Sequence, residues 1–342
     1  MPAIFIMIEN TKKPKAIALV SGGLDSILAV ALAVRMGIEI VAVNFVTPFS
    51  SGPRAHKTDY LADICESLGV ELRRILLTSD YLEVVKNPKF GFGSNANPCI
   101  DCHAFFFRKA REMMKTIDAD FLISGEVVGQ RPMSQMKPTL RQVEKESGCE
   151  GILLRPLSAK ILPETEPEKQ GMVDREMLLD FSGRTRKPQI ELAKELGITE
   201  YPEPAGGCLL TDPGYSRRLK ELMKFKPDFT LEDAIRLKYG RHFRYNQVKI
   251  IVGRDEFDNN FLENDYKAES ETRLHSVDYE GPTTIAETVD DKSAIEIAAK
   301  LTARYCDGKR EAEVRINVEN LLKTVIMDVI PLDETAVRKY RI

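Results

Sequence analysis

Between Lys15 and Ser124, short apolar segments alternate with longer segments of helical periodicity. The apolar segments have four to eight residues, the length of buried strands. This alternation is typical of an α/β fold, a parallel sheet with helices on both faces that binds ligands beyond the carboxyl ends of its strands. The predicted strands are Ala16–Val20, Ile38–Phe45, Val70–Leu77 and Phe121–Ser124, and the predicted helices are Leu24–Met36, Arg54–Leu68 and His103–Ile117.

The chain has 342 residues, enough for two or three domains. Near residue 212 the composition changes from alternating to basic, which predicts an α/β domain over residues 1–212 and a smaller α+β domain over residues 213–342. No apolar run is long enough to span a membrane, and the N-terminus lacks the pattern of a secretion signal, so we expect a cytoplasmic protein. The oligomeric state cannot be predicted.

Other segments are assigned from Pro, Gly and apolar spacing. We expect a loop over Asn87–Pro98, a polar excursion from the sheet over Lys137–Gly183, a helix over Lys187–Leu196, a basic helical segment over Tyr215–Tyr239 and a strand over Phe243–Val252.

A glycine-rich turn connects the first predicted strand to the first predicted helix. Residues 21–26 have the order Ser-Gly-Gly-x-Asp-Ser. Two glycines allow a tight turn whose N–H groups face an anion, and the helix dipole and serine hydroxyls add to the attraction. The Gly-Lys-Ser/Thr order of a Walker loop is absent. The turn therefore predicts a phosphate site at Ser21, Gly22, Gly23, Asp25 and Ser26.

Three of the six cysteines lie in segments rich in Gly and Pro. Cys99 and Cys102 form a Cys-x-x-Cys turn at a helix start, and Cys208 follows two glycines. At a helix N-terminus we expect the pKa of a thiol to fall to about 4–7. Zinc with His103 or Cys149 as fourth ligand, an iron–sulfur cluster, and a persulfide with a resolving thiol are all compatible with these residue types. Cys65 and Cys306 are expected to be core residues.

The Ser21–Ser26 turn resembles the PP-loop of the adenine nucleotide alpha hydrolase-like superfamily, which cleaves ATP between the α and β phosphates. Gly125–Gln135 and Leu154–Leu157 resemble motifs of tRNA 4-thiouridine synthetases, and Cys102 with Cys208 resembles the pair of the 2-thiouridylases. With Cys99 added, the trio is similar to the cluster ligands of cluster-dependent thiolases.

The resemblance implies ATP-dependent tRNA thiolation. ATP and Mg²⁺ are the expected cofactors, with a [4Fe-4S] cluster at Cys99, Cys102 and Cys208, which with Asp25 would be the catalytic residues. A uridine carbonyl becomes an adenylate, and sulfur from sulfide or a separate donor then displaces AMP. Gly125, Gln130, Ser134 and Arg155 are expected to position ATP or the intermediate.

A basic block lies between Arg217 and Arg254, where eleven Lys/Arg against four Asp/Glu leave a net charge of +7 in a chain whose net charge is −3. Cations interleaved with aromatics bind phosphates and stack bases. Gly240–Arg244, Val252–Arg254 and Ala303–Tyr305 resemble the RNA-binding domain of the NFACT family. We therefore expect Arg241, Arg244 and Lys249 to contact tRNA.

Three other functions share part of this pattern. A sulfur transferase acting on a small cofactor would use the phosphate loop and cysteines but not the basic block. An amide-forming synthetase that uses ammonia would need no cysteines. An RNA-binding factor with a nucleotide switch would use the ATP site without modifying RNA.

Overall fold

The computed structural model describes residues 13–50, 59–201 and 208–342. The chain divides into two compact units, Met1–Cys208 and Leu209–Ile342. The strands are β1 Lys15–Leu19, β2 Glu39–Val46, β3 Glu71–Leu76, β4 Phe121–Ser124, β5 Leu153–Leu154, β6 Arg241–Tyr245, β7 Val248–Val252, β8 Thr272–Ser276, β9 Thr284–Ala286, β10 Val314–Asn320 and β11 Lys323–Val329. The helices are α1 Leu24–Arg35, α2 Tyr60–Ser67, α3 Ser79–Lys86, α4 Cys99–Ile117, α5 Lys137–Ser147, α6 Glu166–Lys169, α7 Lys187–Glu195, α8 Pro213–Phe225, α9 Leu231–Arg236, α10 Glu256–Asn264, α11 Lys292–Tyr305 and α12 Glu334–Tyr340.

The first unit contains a five-stranded sheet in the order β3-β2-β1-β4-β5, with every neighbouring pair parallel. Strand order reverses direction between β1 and β4. In an open parallel sheet, such a switch point leaves a crevice at the carboxyl ends of the two strands. The phosphate loop follows β1 and Gly125 follows β4, so both segments border this crevice.

Alternate residues of β1 face opposite sides of the sheet, as the strand period requires. Ala16 and Ala18 pack in a cluster with Val30 of α1. Ile17 packs in a different cluster, with Phe107 of α4. Both faces are therefore covered by helices, which confirms the predicted α/β architecture.

Several local predictions differ from the structure. The polar excursion predicted over Lys137–Gly183 is wrong, because it contains helix α5 and the sheet strand β5. Pro138 lies in the first turn of α5, where a missing N–H costs no hydrogen bond. Helix α3 was also not predicted. The first residues of the helix predicted over Arg54–Leu68 lie outside the described residues, and the rest is α2.

The second unit contains a six-stranded antiparallel sheet in the order β11-β10-β8-β9-β7-β6. Along β7, Ile250 packs with Ala298 of α11 on one face. Ile251 packs with Leu262 of α10 on the other face. This unit is the predicted smaller α+β domain.

The strand predicted over Phe243–Val252 is instead a hairpin of β6 and β7, which turns at Asn246 with a positive φ of 51°. The helical segment predicted over Tyr215–Tyr239 is two helices, α8 and α9. Within the described residues, no helix combines the length and apolar character needed to cross a membrane.

Candidate functional site

The phosphate loop is braced by its own serine hydroxyls. Ser21 Oγ accepts from the Gly23 N–H at 3.3 Å, and Ser26 Oγ donates to the Gly23 carbonyl at 2.7 Å. Gly22 has a φ of 81°, which only glycine adopts at little cost. Helix α1 begins at Leu24 without a side-chain cap. The predicted anion site is therefore a turn whose hydroxyls hold its shape while its backbone N–H groups remain at a helix N-terminus.

Gly125 brings the end of β4 against this loop. A Cβ atom at Gly125 would lie 2.5 Å from the Asp25 carbonyl carbon and from Ser26 Cα. Carbon atoms in contact lie about 3.5–4.0 Å apart, so any side chain here would displace the loop. The close approach of β4 to the phosphate loop therefore requires glycine at position 125, beside the predicted ATP site.

Asp25 is held by two side chains from distant parts of the chain. Its Oδ2 atom accepts from Gln130 Nε2 at 2.8 Å and from Arg186 Nη2 at 3.1 Å. Gln189 Nε2 donates in turn to Gln130 Oε1 at 3.4 Å. The sequence predicted Gln130 but missed Arg186 and Gln189.

The other carboxylate oxygen of Asp25, Oδ1, is buried and has no hydrogen-bond partner within the described part of the chain. Magnesium binds one or two carboxylates together with substrate phosphates. Asp25 beside the phosphate loop therefore fits the Mg²⁺ that accompanies ATP.

The three cysteines of interest lie near the carboxyl edge of the same sheet. Cys99 and Cys102 occupy the first turn of α4, so the helix begins four residues before the predicted start at His103. Cys208 forms an antiparallel bridge with Ser50, which lies after the carboxyl end of β2. The glycines before Cys208 lie outside the described residues.

The helix start does not activate the two α4 thiols as predicted. Burial raises the pKa of Cys99, and the neighbouring Cys208 raises it further. Burial also raises the pKa of Cys102 well above its ordinary value, although the Tyr81 hydroxyl, 3.1 Å from Cys102 Sγ, partly opposes the rise. Desolvation outweighs the helix dipole, so the expected fall to about 4–7 is wrong for this structure.

The side chains expected as a fourth zinc ligand have other partners. His103 Nδ1 lies 2.7 Å from Glu126 Oε1, and the buried Cys149 thiol lies 3.6 Å from the Phe107 carbonyl oxygen. No group of three metal-binding side chains is gathered at ligand distances in residues 13–50, 59–201 and 208–342. Cys65 and Cys306 are buried, as expected of core residues.

A buried ionic network contacts helix α4 through His103. Arg155 Nε donates to Glu126 Oε2 at 2.9 Å, and its Nη1 atom contacts Glu144. Burial tends to raise the pKa of Glu126, but Arg155 and His103 outweigh it and lower the pKa to about 2. Arg155 is itself 2% exposed, and Ser134 is also buried. These placements argue against the predicted contacts of Arg155 and Ser134 with ATP.

The cations predicted to bind RNA are engaged within the second unit. Arg241 donates to the Gly253 carbonyl at 2.9 Å. Arg244 Nε lies 2.5 Å from Glu221 Oε1, and Lys249 Nζ lies 3.6 Å from Glu221 Oε2. The Lys249 side chain is 2% exposed. The structure therefore gives Arg244 and Lys249 a structural partner rather than an open phosphate-binding surface.

Two family models match different parts of the chain. Residues 11–160 match the family described as "Thiamine biosynthesis protein (ThiI)", and residues 240–341 match the "NFACT protein RNA binding domain". The chain is therefore similar to the ThiI family over its first part and to the NFACT RNA-binding domain over its last part. The resemblances to PP-loop thiolation enzymes and to the NFACT domain are thereby confirmed. Among curated proteins, none matches the chain.

Solved structures resemble the chain only distantly. A 4-thiouridine synthetase–RNA complex with bound ATP is 23% identical with a TM-score of 0.37, over 65% of this chain and 53% of that one, so the chain spans about half of that protein. A predicted tRNA methyltransferase subunit from Methanocaldococcus jannaschii is 15% identical with a TM-score of 0.37, over 64% and 91%. The C-terminal part of a fibronectin/fibrinogen-binding protein from Streptococcus suis is 12% identical with a TM-score of 0.28, over 71% and 89%.

Proposed function

We propose that the protein is an ATP-dependent tRNA sulfurtransferase that activates a uridine carbonyl as an adenylate and replaces its oxygen with sulfur. One observation carries the proposal. The first unit has its phosphate loop, which includes Asp25, at the switch point of the sheet, and its three candidate cysteines near the same carboxyl edge. The NFACT segment supplies the reason to choose RNA as the substrate.

Adenylation uses the groups around the phosphate loop. The N–H groups at the start of α1 face the phosphates. Asp25 would hold Mg²⁺ through Oδ1, and the bound cation would supply positive charge for the departing pyrophosphate. The uridine carbonyl oxygen attacks the α phosphorus, and pyrophosphate leaves. Gln130 and Arg186 keep the Asp25 carboxylate in place through its Oδ2 atom, which leaves Oδ1 available to the metal.

Sulfur transfer completes the exchange. A sulfur nucleophile attacks the activated carbon, and AMP leaves with the original carbonyl oxygen. Cys99, Cys102 and Cys208 are the candidate sulfur-handling residues because all three lie near that edge, two of them in the first turn of α4 and the third bridged to Ser50. The raised pKa values of Cys99 and Cys102 mean that the protein alone does not stabilise both thiolates at once.

Cysteine thiolates are soft ligands of the type that iron–sulfur clusters bind, so the residue types at this site fit such a cluster. When bound, it would balance the thiolate charges and leave an iron open to exogenous sulfide. Cys99, Cys102 and Cys208 would be its ligands, and they would have to approach one another more closely than in the structure.

A second candidate is sulfur transfer to a small cofactor. The family description names thiamine biosynthesis, which favours this alternative for the first unit alone. It leaves the NFACT segment without a role. A nucleotide switch without RNA modification remains the third alternative, and it predicts no sulfur-containing product.

The proposal is tested by incubating the protein anaerobically with ATP, Mg²⁺, sulfide and unmodified tRNA. The expected products are AMP, pyrophosphate and a thiolated nucleoside, detected by mass spectrometry. Asp25→Asn keeps the side-chain shape but removes the charge, and it should abolish all three products. The matched control is Asp63→Asn, which changes an exposed carboxylate of α2 and should retain activity. ADP and phosphate as products would contradict the proposal.

A further inference from the structure

The cations of the basic block fall into two groups by their surroundings. Six of the eleven donate to an acidic side chain or to a backbone carbonyl, among them Arg236 and Arg244. Lys249 forms an ion pair with Glu221 at 3.6 Å, and Lys238 is half-buried. Arg217, Lys220 and Lys224 are different. They are exposed, and none of them has an acidic partner within the described residues.

These three residues lie on one side of helix α8. At 3.6 residues per turn, spacings of three and four place their side chains within an arc of about 60°. The opposite side of the helix is buried through Tyr215, Leu219 and Leu222. The cations therefore form a stripe on the solvent side, about 10 Å long at 1.5 Å per residue.

The stripe is not neutralised within its own helix, because the single acidic residue of α8 pairs with cations outside the helix. Glu221 is the only Asp or Glu in α8, and its carboxylate is held by Arg244 and Lys249. Arg244 and Lys249, which the sequence predicted as RNA contacts, thus engage the one carboxylate of α8 that would compete with a phosphate.

Hydrogen bonds anchor helix α8 at its N-terminus and on its buried side. Asp212 caps its N-terminus by accepting from the Tyr215 N–H at 2.6 Å, and the buried Tyr215 hydroxyl donates to the Ala234 carbonyl at 2.7 Å. Such anchoring keeps the three Cα positions fixed relative to one another. Helix α8 lies outside residues 11–160 and 240–341, so neither family match assigns it a role.

We propose that Arg217, Lys220 and Lys224 form a phosphate-binding stripe that holds the backbone of the RNA substrate. This inference rests on the proposed function, which supplies the RNA. The side chains reach phosphates rather than base edges in this proposal, so they position the RNA without reading its sequence. The ligand chemistry is a series of phosphodiester groups.

The test compares tRNA binding by the full-length protein over a range of salt concentrations. The variant Arg217→Gln/Lys220→Gln/Lys224→Gln should lower the salt slope of log K by about two to three, at about 0.7–0.9 per lost phosphate contact. If the binding curves converge at about 1 M salt, this corresponds to about 100-fold weaker binding at about 0.1 M. Arg217→Lys retains the charge and should retain the slope.

The matched control is Lys115→Gln/Lys145→Gln/Lys194→Gln, which removes the same charge from exposed positions outside the segment that matches the NFACT domain. It should leave the salt slope nearly unchanged. An unchanged slope in the α8 variant, or an equal fall in the control, would overturn the stripe. So would binding of the wild type to anionic phosphatidylserine vesicles that the α8 variant loses while its tRNA binding stays intact.

The same experiment separates this inference from the function on which it rests. Wild-type protein that fails to bind tRNA at low salt would contradict the proposed function. Wild-type protein that binds and thiolates tRNA, with an α8 variant that binds equally well, would contradict only the stripe. Circular dichroism should show that the variant is folded, because all three side chains are exposed.

Discussion

Substitution of Gly125 by alanine should disable ATP cleavage while leaving the protein folded. The added methyl group would lie 2.5 Å from the Asp25 carbonyl carbon and oxygen and from Ser26 Cα. Ordinary contacts between carbon atoms are about 3.5–4.0 Å, so β4 and the phosphate loop must separate by about 1 Å. A misplacement of about 1 Å at a reacting site costs about 100-fold in rate.

The assay measures pyrophosphate released per ATP in the presence of tRNA, with kcat and KM determined separately. We expect Gly125→Ala to lower kcat/KM about 100-fold. Overpacking should also lower the free energy of unfolding by about 1–3 kcal/mol, which thermal melting followed by circular dichroism would show.

Gly93→Ala is the matched control. It adds the same methyl group in the same unit, where the nearest atoms are 3.4 Å and 3.9 Å away. Its effect on pyrophosphate release should be small. A Gly125→Ala enzyme with wild-type kcat/KM would refute the idea that Gly125 seats the phosphate loop.

Three further predictions concern charge and sulfur. Glu126→Gln should lower the free energy of unfolding by about 3–5 kcal/mol because it leaves the charge of Arg155 buried with less compensation. Since the pKa of Glu126 is lowered from 4.5 to about 2, the stability that this carboxylate contributes is present above about pH 4.5 and is lost as pH falls towards 2. The free energy of unfolding should therefore fall less steeply with acid in the variant than in the wild type. Arg244→Gln should lower the free energy of unfolding by about 1–3 kcal/mol because Glu221 loses its nearest partner. A large change in the salt slope of tRNA binding would instead show that Arg244 contacts RNA. Thiolation should be abolished, and pyrophosphate release retained, in each of Cys99→Ser, Cys102→Ser and Cys208→Ser, with Cys65→Ser as the active control. Iron and sulfide in anaerobically purified wild-type protein would support the cluster. Iron-free protein that still thiolates tRNA would exclude it.

The sequence predicts what is local in this fold. Strand β1, the Ser21–Ser26 turn and helix α1 follow one another along the chain, so composition and spacing are sufficient to identify them. Asp25 and Arg186 are 161 residues apart. They meet where the chain returns to the segment after β4, at which the Gly183 N–H donates to the Val128 carbonyl at 2.8 Å. No short-range pattern contains that information.

Burial explains the predictions that failed. Counting cations between Arg217 and Arg254 identifies a basic block but cannot tell that Lys249 points into the unit and Lys220 points out of it. Likewise, the position of Cys102 at a helix start indicates a lowered pKa, whereas its desolvation, which depends on the packed structure, has the larger effect.

The central claim is that the uridine carbonyl oxygen attacks the α phosphate of ATP and leaves with AMP. The most direct test uses tRNA whose target uridine carries a heavy-oxygen label in that carbonyl. After one turnover with ATP and sulfide, mass spectrometry should find the label in AMP and sulfur in the nucleoside. Label in inorganic phosphate released with ADP, or AMP without label beside a thiolated nucleoside, would contradict the account.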